Sequence, residues 1–161
     1  MGRISAWWTA WGIAKSHLFG VGFNAARPEL FAIHSPFPDY VHAAHSIYFQ
    51  VLGNHGFVGL LLFLAFFGGT YLTASRLRKI SVQHPNAHWC ESLGSMCQVS
   101  LIGYFVGGAF LSLSYFDLPY NLMVMVVVAH RWVQQRGWES EPVLTPGWLR
   151  VPGLATPRQG S

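Results

Sequence analysis

Charge is what this chain has least of. Asp, Glu, Lys and Arg make up 10% of its 161 residues, against about 25% in a soluble domain. With 52% hydrophobic and 16% aromatic residues, that shortage excludes an ordinary soluble domain and points to a membrane protein. Cysteine is almost missing as well. Cys90 and Cys97 have no second pair at metal-ligand spacing. They fall in an expected cytoplasmic loop and the span after it, where a disulfide is not expected, and both read as small apolar fillers. The net charge of +4 is not gathered on one face, which argues against a nucleic-acid partner. No signal-peptide pattern opens the chain and no internal repeat is visible. Something must carry a periplasmic N-terminal segment across the membrane. The chain is therefore expected to be the C-terminal part of a longer protein, or the product of an internal start.

What is present is helical spacing and long apolar runs. Ile4, Trp7, Trp8, Trp11 and Ala14 share one broad face between Gly2 and Lys15, which predicts an interfacial helix at headgroup level. Gly20-Val21-Gly22 breaks it, and Pro28, Pro36 and Pro38 punctuate an irregular loop. From about Val41 a short half-buried helix is predicted, capped by Asp39 and weakened at Gly53 and Gly56. Gly56 to Ala74 holds no charge and is long enough, at about 1.5 Å per residue, to cross a bilayer core. Arg76, Arg78 and Lys79 follow at once, so that end is expected to be cytoplasmic. A second apolar run covers 93–113 and a third, shorter one covers 118–133. The expected architecture is an all-α membrane protein, a polytopic helical bundle with a helical periplasmic loop. Residues 1–55 form the loop, 56–133 three transmembrane helices, and 134–161 a disordered cytoplasmic tail.

Within the loop, His45 is the leading chemical candidate, because imidazole titrates near neutrality and can exchange a proton or donate to a phosphate. The competing reading is that it merely orients the loop helix. His42 is predicted to share its helical face. With His34 and His55 a zinc site is conceivable, but no HExxH or paired cysteine supports one, and His42 and His55 are expected to matter far less than His45. Arg3 is an isolated cation whose guanidinium fork suits a pyrophosphate; the alternative is an arginine snorkelling at the interface. Lys15 and Arg27 are weaker candidates for the same anion. Ser46 and Tyr48 complete the candidate set. Tyr48 and the tryptophans read either as sugar-stacking platforms or as interface anchors.

The spacing then becomes specific. His45-Ser46, nine residues, Gly56, two residues and Gly59 resembles the signature of the O-antigen ligase and polymerase superfamily. Gly2-Arg3 before Trp7, the run His17-Leu18-Phe19-Gly20-Val21-Gly22-Phe23, and Pro28-Glu29-Leu30-Phe31 are similar to the exosortase-associated O-glycosylation ligase branch. The resemblance covers about residues 2–121. It implies a GT-C-like inner-membrane glycosyltransferase that moves a glycan from a polyprenyl-pyrophosphate carrier to an acceptor hydroxyl, on a glycan, lipid or protein, at the periplasmic face. It implies no metal and no cofactor, an essential His45, and Arg3 as a pyrophosphate ligand. Leu18 stands where many members have proline, and the family's earlier spans and an upstream arginine have no counterpart here, so this segment alone is expected to be inactive. A polysaccharide polymerase, a non-catalytic remnant and a histidine-based metal-binding membrane protein are the competing readings.

Overall fold

The computed structural model describes residues 2–139. The chain is helical, with no strand among these residues. Helix α1 runs Gly2–Ser16, α2 Pro28–His34, α3 Ile47–Ser81, α4 His88–Gly108 and α5 Leu118–Gln134; single 3-10 turns cover Pro85–Ala87 and Gly137–Glu139.

The tryptophan face of α1 is not the face that packs. Ser5, Ala6, Thr9, Ala10, Ile13 and Ala14 are buried, while Ile4, Trp8 and Trp11 are exposed. Small side chains let α1 approach closely. A β-carbon on Gly53 of α3 would already stand 3.3 Å from that of Ala10, and one on Gly12 would meet His34 of α2 at 2.9 Å.

The helix expected from Val41 does not form there. Residues 41–45 are irregular, and α3 begins at Ile47 behind Ser46, which is extended at φ −160°. Asp39 therefore has no helix to cap. His45 takes a positive φ of 45°, a conformation a β-carbon disfavours, and this departure stops helix from propagating back toward Val41.

Helix α3 is bent at Gly56, whose φ of 66° and ψ of −165° are not helical. That region of backbone space is essentially reserved for glycine. Around the bend the loop 18–22 supplies hydrogen bonds that a regular helix would have made internally. The carbonyls of Gly53 and Asn54 accept from the N–H groups of Val21 (3.3 Å) and Gly22 (2.9 Å), and Val58 N–H donates to Leu18 O at 3.5 Å. The break predicted at Gly56 is thus present as a bend, and the loop 18–22 packs into it.

Beyond the bend, α3 packs on α4 and α5. Phe67, Ala74, Cys97, Leu101, Leu122 and Val126 form one core cluster; Leu77, Ala87, Cys90, Ala129 and Val133 form a second nearer the Arg78 end. The outside of the bundle is apolar: Leu61, Leu62, Leu72, Met96, Val99, Val106 and Val128 are all exposed. Its interior holds the polar group instead. Gln98 is buried, accepts from Arg78 Nη1 at 2.8 Å and donates to Ser75 Oγ at 2.6 Å. By length and composition, α3 can cross a membrane, with a mean hydropathy of 1.9 over an 18-residue window of which 17% is buried. That low burial separates it from the core helix of a soluble protein.

Two boundaries differ from the sequence reading. The apolar run expected over 93–113 becomes a helix over His88–Gly108. Glu91 lies in its first turn and pairs with His88 at 3.0 Å, which supports an earlier start. Residues 135–139, expected to belong to an irregular tail, instead turn Trp138 onto His84, ring centroids 4.4 Å apart. The tail from 140 onward lies outside the described residues.

Candidate functional site

The site is assembled where α1 crosses the segment 41–46 and the first turns of α3. Trp7 is the joint. Its indole N–H donates to the Ala44 carbonyl at 2.8 Å, and its ring lies flat on Phe49, centroids 4.8 Å apart and 8° between planes. Arg3 lies one turn earlier on the same helical face, which places its helix end against the strip that carries His45. His42 meets α1 as well. Its ring packs on Gly2, where a β-carbon would come 2.7 Å from Cδ2.

Between these walls lies a cleft of about 140 Å³ lined by Thr9, Phe31, His42, Gln50, Asn54 and Ser112, among others. Two of its lining residues, Gln50 and Asn54, belong to a polar network. Asn54, buried, accepts from the Ala25 N–H at 3.2 Å and donates to Tyr115 Oη at 2.8 Å. His55 Nε2 reaches the same hydroxyl at 3.0 Å, with Phe23 edge-on to its ring. Gln50 Oε1 accepts from Ser114 Oγ at 2.8 Å. Sequence reading passed over Gln50, Asn54 and Tyr115. A signal existed: Gln50 and Asn54 are polar residues four apart, hence on one helical face.

The candidate residues do not all converge. Arg3, Arg27 and His45 are exposed. Arg27 directly follows Ala25 and Ala26, which line the cleft, and His45 follows Ala44, which also lines it. None of the three side chains has an acidic or hydrogen-bonding partner among the described residues. Lys15 is at the far end of α1, about 18 Å from Arg3 along the axis at 1.5 Å per residue, and its ammonium lies 5.3 Å from the Trp11 ring. One pyrophosphate cannot bridge Arg3 and Lys15. Tyr48 is turned toward α4, where its hydroxyl donates to Phe105 O at 3.1 Å. Ser46 is buried at the start of α3 and makes no side-chain cap.

The histidines are dispersed too. His34 packs on Gly12 and His42 on Gly2, ten residues apart on one helix and so about 15 Å along it. Among the described residues no three of His, Cys, Asp or Glu gather in a metal-binding group.

The two motif glycines have separate steric reasons. A β-carbon on Gly56 would collide with the Leu18 carbonyl, and one on Gly59 with the His55 side chain one turn earlier. The spacing from His45 to Gly59 therefore describes a bent helix start that receives the loop 18–22 on one side and displays His45 just ahead of it.

No curated protein and no solved structure matches the chain. Residues 1–64, which carry α1, α2, the bend and most of the cleft lining, match a family model described as O-antigen ligase, and it is to that family of ligase- and polymerase-like membrane enzymes that this part of the chain is similar.

Proposed function

We propose that this chain is the catalytic-loop portion of a membrane glycosyltransferase of the O-antigen ligase kind, closest to the exosortase-associated branch. It transfers a glycan from a polyprenyl-pyrophosphate carrier to an acceptor hydroxyl on the periplasmic face of the bacterial inner membrane. Three spans, from α3, α4 and α5, anchor it, with the Arg76 end in the cytoplasm. The observation that carries this reading is the coincidence of the family match over residues 1–64 with a cleft lined by Ala26 and His42. Arg27 follows Ala26 in the chain, Arg3 follows the Gly2 on which His42 packs, and neither guanidinium has a partner among the described residues. An anionic leaving group needs positive charge held in place as it departs. Arg3, with Arg27 beside the rim, supplies it, so no metal or other cofactor is invoked. His45 acts next to the pyrophosphate or on the acceptor.

The test is transfer by the natural protein, with whatever precedes or follows residues 1–161 in it, reconstituted in lipid with a polyprenyl-pyrophosphate-linked glycan and candidate acceptors. Transfer that is lost in His45→Ala supports the reading. A well-folded natural protein that transfers nothing to any hydroxyl acceptor defeats it. Product length separates ligase from polymerase, since a polymerase returns an extended glycan.

A further inference from the structure

The imidazole that the fold holds in a defined state at the cleft is that of His42. Its Nδ1 lies 2.6 Å from the Val41 carbonyl oxygen. A carbonyl only accepts, so Nδ1 carries a proton, and in the neutral ring the lone pair is then on Nε2. The ring also rests against α1. It lies along Gly2, with Cδ2 2.7 Å and Nε2 3.2 Å from where a β-carbon on that glycine would stand. Any side chain there would push it away. Arg3 is the next residue, and the same ring borders the cleft above Gln50 and Asn54.

His45 is exposed, as His42 is, but it is held less. Its backbone has φ 45°, and no hydrogen bond among the described residues sets its tautomer. A general base needs the opposite: a held ring, a fixed tautomer and a free nitrogen within reach of the proton it removes.

We infer that His42 is the proton acceptor for the incoming hydroxyl, which leaves His45 to the pyrophosphate side. This deepens the proposed transferase reading and rests on it. In the step, the acceptor oxygen bonds to the anomeric carbon of the donor. The bond from that carbon to the pyrophosphate oxygen breaks, and its electron pair leaves with the polyprenyl pyrophosphate beside Arg3. The acceptor proton passes to Nε2 of His42, and the imidazolium returns it to solvent.

The experiment uses the natural protein in lipid with a polyprenyl-pyrophosphate-linked glycan donor, and compares it with His42→Ala, His42→Gln and Gly2→Ala. His42→Ala is expected to lose about a hundredfold in kcat with little change in the KM for donor, as for removal of a general base. Added imidazole should restore a measurable part of it. His42→Gln keeps a hydrogen-bonding amide but has no basic nitrogen, so it should be as slow as the alanine variant. Gly2→Ala, which displaces the ring, should be slow while keeping the parent's thermal midpoint. Near-normal transfer by His42→Ala overturns the inference and leaves the transferase reading standing. So does a loss that imidazole does not relieve, since His42 then serves packing alone. Absence of transfer by the parent protein itself overturns the transferase reading, and this inference with it.

Discussion

Gly56 of α3 and Leu18 of the preceding loop meet backbone against backbone: a β-carbon on the glycine would collide with the leucine carbonyl oxygen. Two separated sequence motifs are thereby one structural object. The run His17 to Phe23 plugs the bend that Gly56 makes within the helix that starts after His45 and Ser46.

Gly56→Ala should be severely destabilising. It combines a φ of 66°, which costs a β-carbon about 1–3 kcal/mol, with that collision. Gly68→Ala in the same helix meets nothing within 4 Å and should be neutral or slightly stabilising. Thermal unfolding of the two variants in the same detergent checks the contrast; equal midpoints would mean that the bend is not where the structure has it.

Trp7→Phe keeps the stack on Phe49 but removes the bond to Ala44 O. A loss of about 1 kcal/mol is expected. Transfer should fall further than that stability change explains, because the strip carrying His42 and His45 loses its tie to the helix of Arg3. Parallel measurement of unfolding and transfer separates the two effects.

For the proposed donor contact, Arg3→Lys should impair transfer although its charge is kept, since an ammonium cannot reproduce the guanidinium fork. His45→Ala should reduce transfer by about a hundredfold or more while the protein still inserts. Steady-state kinetics on both variants would decide; full activity in each would remove both residues from the mechanism.

Topology follows from the basic end of α3. Val82 is exposed just beyond it, whereas Ser81 is buried, so Val82→Cys is the better reporter there, with Pro36→Cys for the other side. In a background with Cys90 and Cys97 replaced, an impermeant thiol reagent applied to intact spheroplasts should label position 36 and spare position 82. The reverse pattern would place the cleft in the cytoplasm.

Gln98→Leu should weaken the pairing of α3 with α4 by about 1–3 kcal/mol. It strands the guanidinium of Arg78, whose Nη1 it binds and whose Nε is already buried without a partner among the described residues. Replacing Arg78 with methionine in the same protein should recover most of that loss, because no unpaired charge then remains between the helices. Unfolding midpoints of the single and double variants test the coupling.

The sequence by itself determined the helical, apolar character of the chain, the ends of α1 to within a residue and the break in α3 at Gly56. Those features are local. Side-chain periodicity, absence of charge and a glycine at a fixed spacing act through near neighbours and survive in any fold. The tertiary structure decided the rest. It buried the small-residue face of α1 instead of its tryptophans, because a close crossing with Gly53 favours alanine over indole. It kept residues 41–46 out of helix, because the bond from Trp7 to Ala44 and the seat of His42 on Gly2 require an irregular strip. It also sent Tyr48 to α4, left Lys15 far from Arg3, and brought Asn54, His55 and Tyr115 together across some sixty residues of chain. Contacts between residues so far apart depend on how helices cross, and no spacing along the chain encodes that.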